Sequence, residues 1–279
     1  MGGAPIVIVY FIHKYIPESP RWLLNKNRYE EAMTLLERLE KNLEIEHDSR
    51  YIDQNLLNSL KHAQKTATIR VSWVQIFRPP YLTRTIAAYS MYSAALVFWY
   101  IGMVYAPAIL TEKGFQMSNS ILMTGLMMAI GGIAGIIGGY MIDRFGRKPM
   151  YIIWALLSAG CSILLTFVDS LGAWLLVGLT LAFFGNAIFS ICKLYIAEQY
   201  PIELRSTGAG LGEAVSRVTG GVLAPYFVSF LLMAGNQAAV FWFLAICYFI
   251  SILFLILWGQ ETKGKSIEAA GDAVRQQDN

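Results

Sequence analysis

Gly139-Tyr140-Met141-Ile142-Asp143-Arg144-Phe145-Gly146-Arg147-Lys148 ends in a polar island between two long apolar runs, and those runs decide the fold. The run before it covers about 120–141 and the run after it about 149–168. Each is near the ~20 residues a helix needs to cross the hydrocarbon of a bilayer. Working outward, the same length recurs at 85–110, 173–197, 207–233 and 238–258, with short polar connections at 111–119, 169–172, 198–206 and 234–237. The whole chain of 279 residues is 56% hydrophobic and only 15% charged, with a mean hydropathy of +0.47. A soluble domain carries about a quarter charged residues, so the expected fold is an all-α membrane protein with a six-helix bundle over 85–258. Cys161, Cys192 and Cys247 all fall inside apolar runs and read as small hydrophobes. No disulfide, metal or cofactor is expected from them.

Residues 1–12 are apolar but too short to span. They lack a basic segment before them and a cleavage pattern after them, and read as the last part of a span whose beginning is missing. A polar segment, 13–84, follows. Within it Ala32, Leu35, Leu36 and Leu39 recur at helical spacing, with Glu30, Glu31, Glu37, Arg38 and Lys41 on other faces, which predicts a surface amphipathic helix. A weaker helical pattern runs over 51–65. A hydrophilic tail, 259–279, closes the chain. Basic residues crowd the 13–84 segment and recur at Arg144, Arg147, Lys148, Arg205, Lys263, Lys265 and Arg275, against Lys113 on the opposite side. Positive loops stay cytoplasmic, so the long segment, these loops and the C-terminus are expected in the cytoplasm. Gly131, Gly135 and Gly139, with Gly132 and Gly138 beside them, form a stripe that lets helices approach. Gly208, Gly210 and Gly212 are no dinucleotide fingerprint, because they open a span with no strand before them.

Ionisable residues inside spans are costly and therefore suspect. Lys193, Glu213 and Arg217 qualify. At ~1.5 Å per residue, Arg217 lies about 18 Å inward from Arg205, near the midplane, and Glu213 about 12 Å. Four residues apart, the two share a helix face and can pair. Lys193 can snorkel to the surface or reach Glu213. Two readings of Arg217 stand side by side: a structural ion pair, or a cation that receives a substrate carboxylate, with Glu213 as the proton-carrying acid. Tyr89, Tyr92, Leu96 and Trp99 share one face of the 85–110 run, as a binding cage or as packing. Asn186 shares a face with Lys193 near the midplane. Gly102 and Pro107 permit a broken helix of the kind transporters use.

The island quoted first resembles the GxxxDRxGRR-type signature of the major facilitator superfamily. Pro17-Glu18-Ser19-Pro20-Arg21-Trp22-Leu23 is similar to the element after the sixth span of its sugar porters and organic ion transporters. Glu198-Gln199-Tyr200-Pro201-Ile202-Glu203-Leu204-Arg205 resembles their element after the tenth span, and Glu261-Thr262-Lys263-Gly264 the one after the twelfth. The resemblance implies that 1–12 is the end of span six, that 13–84 is the intracellular helical segment and that 85–258 holds spans seven to twelve. It also implies that Asp143, Arg147, Glu198 and Arg205 belong to a cytoplasmic latch; as a bare alternative they are orientation charges. Ser216-Arg217-Val218-Thr219-Gly220-Gly221 with Ala224-Pro225 resembles a stretch of bacterial aromatic-acid and niacin-type transporters. The hexose-holding QQxxGxN pattern is missing from the 85–110 run, which counts against a sugar.

The expectation is a plasma-membrane, alternating-access transporter half, coupled to protons or running as a uniporter. Its solute is a small organic or aromatic carboxylate, with sugar as the second choice and a non-transporting receptor or scaffold as an alternative of another class. Expected partners are the lipid bilayer, the solute and an N-terminal six-helix half, from the same parent chain or from a dimer partner; no nucleic acid is among them. An enzyme is not expected, because no HExxH, GxSxG or P-loop pattern occurs.

Overall fold

The structure is a computed structural model that describes residues 18, 23, 28, 30–35, 38, 73–112, 114 and 116–263; the expectations for 1–12, for 51–65, for Lys113 and for the end of the tail lie outside them. The chain divides into two compact units, Met1–Arg70 and Val71–Asn279. In the first, residues 30–35 are helical, Leu23 and Ala32 are buried, and Arg28 grips Glu31 at 2.5–2.8 Å. Ala32 is the buried member of the spaced set, Leu35 is half-buried, and Leu36 and Leu39 lie outside the described residues.

The second unit is a helix bundle. Its elements are α1 (Leu82–Trp99), α2 (Ala106–Glu112), α3 (Met117–Phe145), α4 (Arg147–Leu164), α5 (Leu171–Glu198), α6 (Ile202–Val218), α7 (Ala224–Met233) and α8 (Gln237–Trp258). A short 3₁₀ turn, Trp73–Phe77, precedes them. A π-helical turn, Tyr100–Val104, links α1 to α2, and another, Thr219–Leu223, links α6 to α7. Each of the six expected runs is helical. Among the described residues five stretches are long and apolar enough to cross a membrane: Leu82–Val104, Met117–Phe145, Leu171–Glu198, Leu204–Met233 and Gln237–Trp258. α4, the helix of the remaining run, has 18 residues and opens with Arg147 and Lys148.

The helices outrun the apolar pattern. α3 continues to Phe145 and α4 starts at Arg147, so Gly146 alone separates them where a six-residue polar connection is expected. Helical hydrogen bonds close within the chain regardless of side-chain polarity, so Asp143 and Arg144 extend the helix beyond the apolar stretch. Gly146 has φ +100°, a backbone that side chains with a Cβ resist, and that reversal is what turns the chain.

α1 is the central helix. Its span is 72% buried, against 22–44% for the other four, and α5, α6, α8 and the second π turn all pack on it. Close approach follows small residues. Gly138 faces Trp154 and Ala187, Gly131 faces Asn186, and Ala134 is fully buried where α3 meets α5. Gly132 and Gly139 look into open space. Gly135 meets the Ser190 hydroxyl of α5, so of the fourfold 131–135–139 repeat only Gly139 leaves the packed face, where 3.6 residues per turn puts Ala134 and Gly138 instead. Both π turns sit just before a proline, Pro107 and Pro225, which cannot donate to the turn before it. Tyr105 N–H reaches back five residues to the Tyr100 carbonyl at 3.0 Å, and the Ala224 N–H likewise reaches Thr219.

Candidate functional site

Two polar constellations stand on this scaffold. The first is built on α6 around its intramembrane charges. Arg217 Nη2 and Glu213 Oε1 form an ion pair at 2.6 Å, one helical turn apart. The other carboxylate oxygen, Glu213 Oε2, accepts a hydrogen bond from the Tyr92 hydroxyl on α1. Tyr92 is itself buried and seated edge-on against Phe189 of α5, with ring centroids 5.9 Å apart. Lys193 of α5 is exposed, and its charge also acts on Glu213. The Arg217 side chain is 62% exposed against 33% for Glu213, so the arginine is the open member of the pair.

Glycines bring α6 this close to α1. A Cβ at Gly212 would stand 2.9 Å from the Tyr89 ring, and one at Gly220 would meet the Leu96 backbone at 2.8 Å. Tyr89 donates its hydroxyl to the Gly208 carbonyl at 2.8 Å, which ties the two helices one turn nearer the Glu198 end. Gly221 lies beneath the Tyr100 hydroxyl, so a side chain of the first π turn reaches the second.

The structure thus joins Tyr92, Glu213 and Arg217 and sets Lys193 within their field. It does not draw in the other two candidates. The Asn186 amide donates back to the Ala182 carbonyl at 2.8 Å and packs on Gly131. Trp99 is 37% exposed and lies edge-on against Tyr100 at 5.3 Å. Tyr92 was a candidate on its aromatic face; its partnership with Glu213, 121 residues away, leaves no trace in local spacing.

The second constellation is a charged collar at the Gly146 end of the bundle. Arg147 donates to both oxygens of Glu198, from Nε at 3.2 Å and Nη2 at 3.0 Å, the two-pronged geometry that makes such pairs strong. Asp143 lies 3.5 Å from the same guanidinium. The Glu261 carboxylate accepts from the backbone N–H groups of Arg147 and Lys148, each at 3.0 Å. It thereby neutralises the open N-terminus of α4, where unpaired N–H groups and the helix dipole favour an anion. Lys148 reaches the Gly259 carbonyl at 3.0 Å, Lys263 the Arg144 carbonyl at 2.6 Å, and the Thr262 hydroxyl donates to Glu198. Asp143, Arg147 and Glu198 therefore meet. Arg205 does not join them: its Nε donates to the Ala197 carbonyl at 2.9 Å, and its buried Nη2 has no hydrogen-bond partner. Glu261 is the collar member that helix periodicity misses, since it sits past the last span.

Beside the collar, the Thr85 hydroxyl shares a hydrogen bond with Tyr200 at 2.9 Å, and burial pushes the Tyr200 phenol up. Among the described residues no cluster of His, Cys, Asp and Glu has the makings of a metal site.

A family model described as "Sugar (and other) transporter" matches residues 1–273. The niacin transporter NiaP of Acinetobacter baylyi is 28% identical over 278 residues, covering 97% of this chain and 60% of that protein. The inner membrane metabolite transport protein YdjE of Escherichia coli is 31% identical over 271 residues, covering 96% of this chain and 59% of that one. Among solved structures, the proton:xylose symporter XylE superposes with a TM-score of 0.72 at 21% identity, over 97% of this chain and 57% of its own. The chain spans about 60% of the length of the curated relatives it matches.

Proposed function

The chain belongs to the sugar (and other) transporter family, an integral, multi-pass membrane protein, and from that membership we propose that it supplies the C-terminal half of a secondary transporter for a small organic carboxylate. The observation that carries the carboxylate reading is Arg217, an intramembrane guanidinium with 62% of its side chain open. A cation is costly inside a membrane, by about 2.5–3.5 kcal/mol on insertion scales. Its planar fork suits a carboxylate. The similarity to a niacin transporter points the same way, because nicotinate is an aromatic monocarboxylate. Similarity to a metabolite transport protein leaves the solute's further identity broad.

In this reading alternating access takes place between this bundle and a second six-helix half, which the site needs as its other wall. The collar of Asp143, Arg147, Glu198 and Glu261 sits on the cytoplasmic side of the plasma membrane, in keeping with the positive-inside rule.

Uptake of radiolabelled nicotinate, nicotinamide and xylose into proteoliposomes that hold this chain together with a polypeptide carrying the first six spans tests the proposal. Nicotinate uptake is expected, with little for its neutral amide, and Arg217→Ala lowers it at least tenfold. Undiminished uptake of nicotinate by Arg217→Ala would remove the carboxylate reading. Uptake of xylose alone would replace it with the sugar reading, which the likeness to a fold that carries xylose keeps in view.

A further inference from the structure

The two oxygens of Glu213 are held by different helices. Oε1 faces Arg217 on its own helix α6, and Oε2 takes the Tyr92 hydroxyl from α1. The two holders differ in access, for Tyr92 is buried and Arg217 open. A solute arriving from the open face therefore meets the arginine, and Tyr92 is out of its reach. We propose that Arg217 passes from Glu213 to the incoming carboxylate while Tyr92 keeps hold of Glu213, so that one proton enters the cluster with each carboxylate. This rests on the carboxylate reading above and assigns Tyr92 as a positioning residue, where the sequence alone placed it among the substrate contacts.

Charge balance supports the stoichiometry. Arg217, Lys193 and Glu213 together carry one net positive charge. Binding a monocarboxylate without a proton would leave two carboxylates competing for Arg217, one of them stripped of its ion-pair partner inside the span, where an ionised group without a counter-charge is costly. When one proton from the aqueous side attaches to the released Oε1, Glu213 becomes neutral and the cluster returns to one positive charge. No bond other than that O–H forms, and none breaks. The groups facing Glu213 are few: Tyr92 from α1, Lys193 from α5 and Arg217 from α6, with Cys192 of α5 acting on Tyr92. Tyr89, the other phenol on this side of α1, is turned to the Gly208 carbonyl. Tyr92 donates to the ionised carboxylate and so favours the charged form; without that bond Glu213 accepts its proton at higher pH.

The test uses the protein as the cell makes it, purified in detergent, with nicotinate as probe. Binding is read by calorimetry across pH, and proton uptake by a pH indicator in weak buffer. Expected is about one proton taken up per nicotinate bound near neutral pH. Glu213→Gln binds nicotinate with no proton uptake and a flat pH profile. Tyr92→Phe still binds and still takes up the proton, with the midpoint of its pH profile moved to higher pH. Proton uptake unchanged in Glu213→Gln, or a Tyr92→Phe profile superimposed on that of the unmodified protein, would overturn the handover. Nicotinate binding that vanishes in Arg217→Ala but never carries a proton sinks the handover alone. Binding indifferent to Arg217→Ala sinks the carboxylate reading and the handover with it.

Discussion

Glu261 closes a helix it does not belong to. Its carboxylate takes the Arg147 and Lys148 N–H groups at the start of α4 and also accepts from the N–H groups of Thr262 and Lys263. Removing it leaves those donors unpaired beside a part-buried guanidinium. Glu261→Ala is accordingly expected to destabilise the bundle by about 1–3 kcal/mol, seen as a lower melting temperature in detergent, with Glu261→Gln losing less because one acceptor oxygen survives. At this scale, what the sequence reveals depends on distance along the chain. Glu213 and Arg217 are legible as a pair because i,i+4 spacing places them on one face. The Tyr92–Glu213 and Arg147–Glu261 contacts are not, since each joins residues more than a hundred positions apart and depends on how helices pack.

Among the elements, the helices follow the apolar runs, and the break at Tyr100–Val104 follows Gly102 and Pro107. The second π turn at Thr219–Leu223 escaped that reading, although Gly220, Gly221 and Pro225 stand in plain view. Glycines before a proline also read as simple packing residues, and here they serve as that too, since a Cβ at Gly220 would meet the Leu96 backbone. The packing stripe on α3 is sharper in the structure than in the sequence, and it is testable. A Cβ at Gly138 would stand 3.0 Å from Trp154 and 3.2 Å from Ala187, whereas nothing lies within 4 Å of one at Gly139. Gly138→Leu is expected to cost at least ~1–3 kcal/mol by overpacking, while Gly139→Leu is close to neutral. Thermal melting of the two variants side by side checks the contrast.

For the molecule as a whole, two kinds of surface need different covers. The flank of α3 bearing Ile121, Leu122, Ile133 and Ile136, and that of α8 bearing Phe249, Leu253 and Leu257, are exposed and apolar, and suit lipid or packed protein alike. The face with Arg217 and Lys193 cannot rest against acyl chains without a penalty for each cation. It calls for water or for more protein, and the relatives are longer than this chain by the remaining two fifths of their length. Expressed by itself, the chain is expected to enter membranes yet give no nicotinate uptake. Co-expression with a polypeptide carrying the first six spans is expected to restore uptake, measured in the same vesicles; uptake by the chain alone would show the open face to be sufficient. The collar adds a consequence for the order of synthesis. The acceptor that completes the start of α4 lies 114 residues downstream, and a ribosome adding about 5–20 residues per second delivers it roughly 6 to 23 s later. Until then α4 waits with its first amides unanswered, and the newborn bundle locks only when nearly the last of its helical sequence has been read.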